Sequence, residues 1–265
     1  MTEAGNGTMS EHLRCESIRV SFGGVVACDQ LSLTVPKGQI VGLIGPNGAG
    51  KTTLFNVLTR FQEYDSGHVY YEGRAIDSAR PHHMVHMGLS RTFQNINLFG
   101  NQTTMKNIMT GAHNLMGDPF SAMYWMPAAR QREKEIENRA LEIADMLHLV
   151  PELESVVGTL PYGYQKRVEL ARALASKPSI LLLDEPVAGC NEEETAELKE
   201  LVFKVNRQMG VSVLLVEHDM SMVMQVCDYI YVINFGANLA EGTPDEVRQN
   251  PEVIAAYLGD EEGKL

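Results

Sequence analysis

One eight-residue run, Gly45-Pro46-Asn47-Gly48-Ala49-Gly50-Lys51-Thr52, constrains the fold of this chain more than any other segment. It fits G-x-x-x-x-G-K-[ST], follows the apolar run Ile40–Ile44 and opens a helical pattern that begins at Thr52. Strand, glycine-rich turn and helix in that order predict an α/β domain with a phosphate cradle at the strand's end. The glycines let the backbone wrap closely enough to aim N–H groups at phosphate oxygens, and the helix start adds the positive end of a dipole. Lys51 would reach the β- and γ-phosphates, and the Thr52 hydroxyl would ligate Mg²⁺. No N-K-x-D run reads guanine anywhere in the chain, which favours ATP over GTP.

A second apolar run, Ile180-Leu181-Leu182-Leu183, ends in Asp184-Glu185. Neighbouring side chains of a strand point to different sides, so the two carboxylates have different jobs. Asp184 suits a direct or indirect Mg²⁺ partner, and Glu185 a place from which to polarise an attacking water. Short apolar runs at Ile18–Phe22, Leu31–Val35 and Val69–Tyr71 are bounded by turn signals and predict further strands. Strands return at Ile180–Leu183, Val211–Val216 and Tyr229–Ile233. Between Thr103 and Val150 no strand-like run occurs, and Ile136, Ala140, Ile143, Leu147 and Val150 fall on one face of a helix. A further helix is expected from Asn191 to Met209. Asn191 and Glu194 form a capping-box pair, Glu192 and Glu193 suit the positive helix start, and Leu198, Leu201, Val202 and Val205 line one face. The pattern is that of an α/β core interrupted by a helical subdomain.

Composition narrows the function classes. The 265 residues carry 34 acidic against 22 basic side chains, a formal charge of −12, which argues against nucleic acid as a partner. The apolar runs fall far short of the ~18–20 residues that a membrane-spanning helix needs. Met1 to Ser10 is polar, with no signal-peptide pattern. Cys15, Cys28, Cys190 and Cys227 lie far apart and read as reduced thiols of a cytosolic protein.

With these pieces in order, the sequence resembles an ATP-binding-cassette (ABC) ATPase over about residues 14–258. Phe22 matches the aromatic that stacks on adenine in that family. Gln94, in Arg91-Thr92-Phe93-Gln94, matches the glutamine that contacts Mg²⁺ and the attacking water. Leu160-Pro161-Tyr162-Gly163-Tyr164-Gln165 matches the family signature, leading into a helix expected from Lys166 to Leu174. Gly189-Cys190-Asn191 takes the place of the loop that crosses the dimer interface, and His218 that of the switch histidine.

The resemblance implies a P-loop NTPase core of ABC-ATPase type, with an antiparallel β subdomain and an inserted helical subdomain at about residues 100–160. A single ATPase domain over residues 13–259 would sit between a flexible N-terminus, 1–12, and an acidic tail, 260–265. By the same resemblance Glu185, His218 and Gln94 are catalytic. ATP is held by Phe22, Gly45, Pro46, Asn47, Gly48, Ala49, Gly50, Lys51, Thr52 and Thr53, with Tyr162 and Gly163 contributed across a dimer. Mg²⁺ is held by Thr52, Gln94 and Asp184.

Arg91-Thr92-Phe93-Gln94, Tyr162-Gly163, Val216-Glu217-His218-Asp219-Met220 and the ending Gly242-Thr243-Pro244 to Ala256-Tyr257-Leu258-Gly259 resemble the importer ATPases for branched-chain amino acids. The lipopolysaccharide-export ATPase shares the Tyr-Leu-Gly ending. Non-transport ABC proteins usually carry coiled-coil insertions or tandem cassettes, neither of which occurs here. The implied partners are a second ATPase subunit, identical or homologous, integral-membrane permeases and, indirectly, a substrate-binding protein. The implied location is cytoplasmic, peripheral on the inner face of the cell membrane.

The chain departs from the family pattern at Pro161, where a serine is usual, at Tyr164, where glutamine is common, and at Glu192, where proline is common. Proline suits the first turn of a helix, and the backbone N–H groups around Gly163 are expected to remain as an anion site. Phe22 taken alone could equally cap a core. His82, His83 and His86 are expected as surface residues. Trp125 with Met123, Tyr124 and Met126 is either a partner-docking patch or buried core.

Overall fold

The computed structural model describes residues 10–93, 96–115 and 126–261. Strands β1 (Glu11–Phe22) and β2 (Val25–Pro36) form a hairpin about Gly23-Gly24, longer at both arms than the apolar runs suggest. With β4 (Ser66–Tyr71) and β5 (Arg74–Ala75) they make a four-stranded antiparallel sheet in the order β2-β1-β4-β5. The expected N-terminal boundary at residue 12 moves, because Glu11 and His12 belong to β1. His12 is buried, with Nδ1 2.7 Å from Ser212 Oγ and Nε2 3.2 Å from Ser179 Oγ, which ties the strand's start to the rest of the fold.

The second sheet has six strands in the order β10-β9-β3-β8-β7-β6. Its central members β3 (Ile40–Ile44), β7 (Ile180–Asp184) and β8 (Ser212–Val216) are buried at every position. Continuous apolar runs of this kind suit parallel strands covered on both faces. β9 (Tyr229–Asn234) and β6 (Leu89–Arg91) flank them in parallel, and β10 (Ala237–Gly242) closes one edge antiparallel to β9. β6 and β10 escape the sequence reading because one has only three residues and the other is a half-exposed, mixed edge strand.

Period-two alternation divides the core. Leu181, Leu183, Val213 and Leu215 face one apolar cluster, while Leu182, Leu214 and Val216 face a second with residues of β1 and β2. The second cluster also takes Leu54, Phe55 and Leu58 of α1 (Lys51–Leu58), which holds the glycine-rich loop between the two sheets. The first takes α3 (Thr104–Thr110), α4 (Met126–Met146), α5 (Tyr162–Ala175) and α6 (Glu192–Met209). Between them, α2 (Pro81–Met87) precedes β6, and α7 (Met220–Val226), α8 (Pro244–Gln249) and α9 (Pro251–Glu261) complete the chain.

Three local expectations are corrected. α4 ends at Met146 and His148 turns at φ 56°, so Leu149 enters the core and Val150 is 47% exposed. The helix after the signature starts at Tyr162, four residues before Lys166. Asp260 and Glu261, read as tail, extend α9. The helix after Asn191 forms as expected, with the capping box made by Asn191 and Glu194 and with Leu198, Leu201, Val202 and Val205 buried.

Candidate active site

The cradle is built by backbone approach. A Cβ at Gly45 would lie 2.1 Å from the Ile233 carbonyl oxygen, and one at Gly50, whose φ is +103°, 2.5 Å from that of Ala27. Only glycine permits both the close packing and the left-handed turn. Gly236, in the β9–β10 turn, donates its N–H to Ala49 O at 3.1 Å and accepts from Asp29 N at 2.6 Å, so two distant turns brace the loop. Lys51 is buried, and its Nζ donates to Gly45 O at 2.6 Å and Pro46 O at 2.9 Å. Asn47, Gly48 and Thr52 are exposed, Thr53 is half-buried and Pro46 is buried. Phe22, at the end of β1 opposite Val25, is 50% exposed and so available to a flat ligand.

Asp184 ends β7, and its backbone N–H donates to Thr92 Oγ1 at 3.3 Å. Burial pushes its carboxyl above the usual carboxylate range, opposed first by Arg91. The Arg91 guanidinium lies over the rings of Phe55, Phe61 and Phe93 at 4.8, 5.2 and 4.6 Å. It also donates to Asn56 Oδ1 at 3.0 Å and Thr59 Oγ1 at 2.8 Å. A cleft of about 360 Å³ is lined by Thr52, Asn56, Arg91 and Asp184, which puts the expected hydroxyl and carboxylate on one space. Their oxygen donors suit Mg²⁺, a hard cation.

Glu185 follows in a left-handed conformation, φ 48°, with its N–H on Val216 O at 2.8 Å. Non-glycine residues held there are strained, and such strain concentrates at functional sites. His218, exposed at the end of β8, places Nδ1 3.8 Å from Glu185 Oε1 and 3.9 Å from Glu217 Oε2. Glu217 is fully buried and accepts backbone N–H groups from Val187 at 3.1 Å, His218 at 3.1 Å and Asp219 at 3.3 Å. It thereby joins the Glu185 loop to the His218 loop. The sequence reading missed Arg91 and Glu217 as site residues. Each lies inside a matched motif, and for Glu217 a carboxylate directly after the apolar run Val211–Val216 was the available signal.

The signature residues lie elsewhere, against the loop after β7. Pro161 is the N-cap of α5, one position earlier than expected, and offers no side-chain cap. A Cβ at Gly189 would lie 3.1 Å from the Tyr162 ring, and Lys166 Nζ sits 5.7 Å from that ring's centroid. The Gly163 N–H, expected as part of an open anion site, instead donates to Glu194 Oε1 at 3.0 Å. Gln94 and the cluster of Met123, Tyr124 and Trp125 fall outside the described residues, as does the Met126 side chain. His82, His83 and His86 are exposed on α2, and no group of three or more His, Cys, Asp or Glu able to hold a metal occurs among the described residues.

Among the described residues, no helix is long and apolar enough to cross a membrane. A family model described as ABC transporter matches residues 28–188. Another, described as branched-chain amino acid ATP-binding cassette transporter, matches residues 237–263. The chain is 42% identical to the high-affinity branched-chain amino acid transport ATP-binding protein BraF of Pseudomonas aeruginosa, over 94% of this chain and 98% of that one. It is 39% identical to the corresponding protein LivG of Escherichia coli K12, with the same coverage. The fold matches the ADP conformation of an ATP-binding cassette of an ABC transporter with a TM-score of 0.82 and 33% identity, over 94% of this chain and 99% of that one. A nucleotide-free cassette matches with a TM-score of 0.81, also at 33% identity, over 93% of this chain and 98% of that one. A family match over more than half of the chain, carried on a fold shared with solved cassettes, makes this protein a member of the ABC transporter family and an ATP-binding-cassette ATPase.

Proposed function

We propose that this chain is the ATP-hydrolysing subunit of an importer for branched-chain amino acids, acting as one of two cassettes beneath integral-membrane permeases at the inner face of the cell membrane. The observation that carries the reading is the C-terminal match over residues 237–263 to branched-chain amino acid cassettes, beside relatives of the same description that align over nearly the whole chain.

In this reading, Phe22 stacks on adenine and the loop from Gly45 to Thr53 holds the phosphates. Lys51 exchanges its two loop carbonyls for phosphate oxygens. Mg²⁺, when bound with ATP, neutralises phosphate charge, and the Thr52 hydroxyl and Asp184 carboxylate, with Gln94, are the groups to hold it. Glu185 takes the proton of the attacking water, and His218 beside it faces the γ-phosphate. The signature around Gly163 completes the site of the opposite cassette. An apolar groove of about 650 Å³, lined by Phe61, Met84, Phe93, Phe99 and Arg172, supports a permease contact on the face carrying α2 and α5. A substrate-binding protein acts through the permeases.

The test is leucine uptake by vesicles that contain the permeases and a binding protein. Wild-type chain should drive uptake, and Glu185→Gln should bind ATP while losing about 10²–10⁴-fold in hydrolysis and all uptake. Uptake that proceeds unchanged with Glu185→Gln overturns the reading. Sharing of sites is tested by mixing Gly163→Asp with Lys51→Ala chains: each is inactive alone, and a mixed pair retains one site free of both changes. No recovery on mixing overturns the shared site.

A further inference from the structure

One carboxylate holds together the two segments that the opposite cassette must engage. Glu194 Oε1 accepts the Gly163 N–H at 3.0 Å, and Glu194 Oε2 accepts the Asn191 N–H at 3.0 Å. The Asn191 side chain returns the contact, its Oδ1 accepting the Glu194 N–H at 2.9 Å. The approach at Gly163 is so close that a Cβ there would lie 2.6 Å from Glu194 Oε1 and 2.7 Å from its Cγ. Gly163 is buried at the start of α5, a helix of 14 residues, where backbone N–H groups and the helix dipole both favour an anion.

We propose that Glu194 is a positioning residue that acts as a latch: its carboxylate stands in for the γ-phosphate on the signature until the opposite cassette's ATP displaces it. The inference rests on the shared-site reading above. The Gly163 N–H points along one direction and serves one strong acceptor at a time, so closure on ATP must break its bond to Glu194. A carboxylate competes for this donor better than a neutral oxygen, because hydrogen bonds to ionised groups are roughly twice as strong. Once displaced, the carboxylate stays tethered by the Asn191 N–H and meets the incoming phosphate as a like charge. Both effects oppose closure, so the latch sets how much ATP the dimer requires. It also links the signature to the Gly189-Cys190-Asn191 loop, so that release of one frees the other.

Glu194→Gln separates the latch from the helix cap. The amide oxygen of glutamine can still accept the Asn191 N–H, while the negative charge is lost. The experiment uses the full chain in the Glu185→Gln background, where ATP-dependent dimers accumulate, and follows dimer formation by light scattering against ATP concentration. The ATP concentration at half-dimerisation should fall on the order of three- to tenfold with Glu194→Gln, a size set by the difference between charged and neutral hydrogen bonds. Thermal unfolding without nucleotide should stay within about a degree, since the cap is kept. Glu194→Ala, which loses the cap as well, should lower the unfolding temperature and still move the ATP midpoint down. A midpoint that is unchanged or raised in both variants overturns the latch while leaving the shared site standing. If the Glu185→Gln chain forms no dimer at any ATP concentration, the shared-site reading fails and the latch with it.

Discussion

Arg91 brings its Nη2 within 3.6 Å of the Asp184 Oδ2, joining the end of β6 to the end of β7 where the nucleotide cleft opens. Both groups are largely buried, and burial lowers the arginine's pKa as it raises the aspartate's. Three phenyl rings, Asn56 and Thr59 fix the guanidinium, so the cation sits where it favours the charged form of Asp184 against the effect of burial. Arg91→Met fills the same space among the rings but leaves the carboxylate without its cation. Breaking a largely buried pair from one side should cost about 3 kcal/mol, read by urea unfolding. The acid limb of the pH–rate profile for hydrolysis should also move to higher pH, because Asp184 then ionises later. An acid limb in the wild-type position would refute this role.

Glu217 governs the two loops that carry Glu185 and His218. Glu217→Ala strips acceptors from the N–H groups of Val187, His218 and Asp219, and leaving buried donors unpaired costs about 1–3 kcal/mol. Glu217→Gln keeps one carbonyl oxygen and should lose less. If positioning is the role, the kcat for ATP falls at least tenfold in the alanine variant with little change in KM. Equal kcat in wild type and both variants would assign Glu217 to stability alone.

His12 makes the fold sensitive to acid. Its pKa is lowered from 6.5, first by burial and then by the nearby Lys37, with Glu72 acting in the opposite sense. The unfolded chain therefore binds more protons than the folded one just below pH 6.5, and stability is lost as pH falls through that window. The melting temperature should drop between about pH 7 and 5.5, and His12→Asn should flatten that dependence. The same slope in the variant would place the sensitivity elsewhere.

Pro161 caps α5 with no side-chain hydrogen bond, and Gln165 donates its backbone N–H to Pro161 O at 3.1 Å to begin the helix. Pro161→Ser adds a hydroxyl able to cap the helix, worth about 1 kcal/mol of stability. The hydrolysis rate should change by no more than a few-fold, because the Gly163 N–H and the helix dipole remain. A loss of two orders of magnitude would show that the fixed backbone of proline is needed there.

Much of this protein was decided by local sequence. Gly45 to Thr52, the apolar strand before it and the acid-terminated run Ile180 to Glu185 announce a glycine-rich turn between strand and helix and a strand that ends in carboxylates, because strand, tight turn and helix start are short-range structures. The capping box of Asn191 and Glu194 and the buried face of α6 are equally local. The short strand β6 and the edge strand β10 carried no periodic signal, and they exist because neighbouring strands pair with them. Only the tertiary structure set Arg91 beside Asp184, Glu217 against the Val187 N–H and Gly236 against Ala49, since each contact joins segments far apart in the chain. The Gly163 N–H shows the limit most clearly. The family resemblance marked it as a free donor at a helix start, but its acceptor lies 31 residues away, and a partner across that distance is chosen by how α5 packs beside α6.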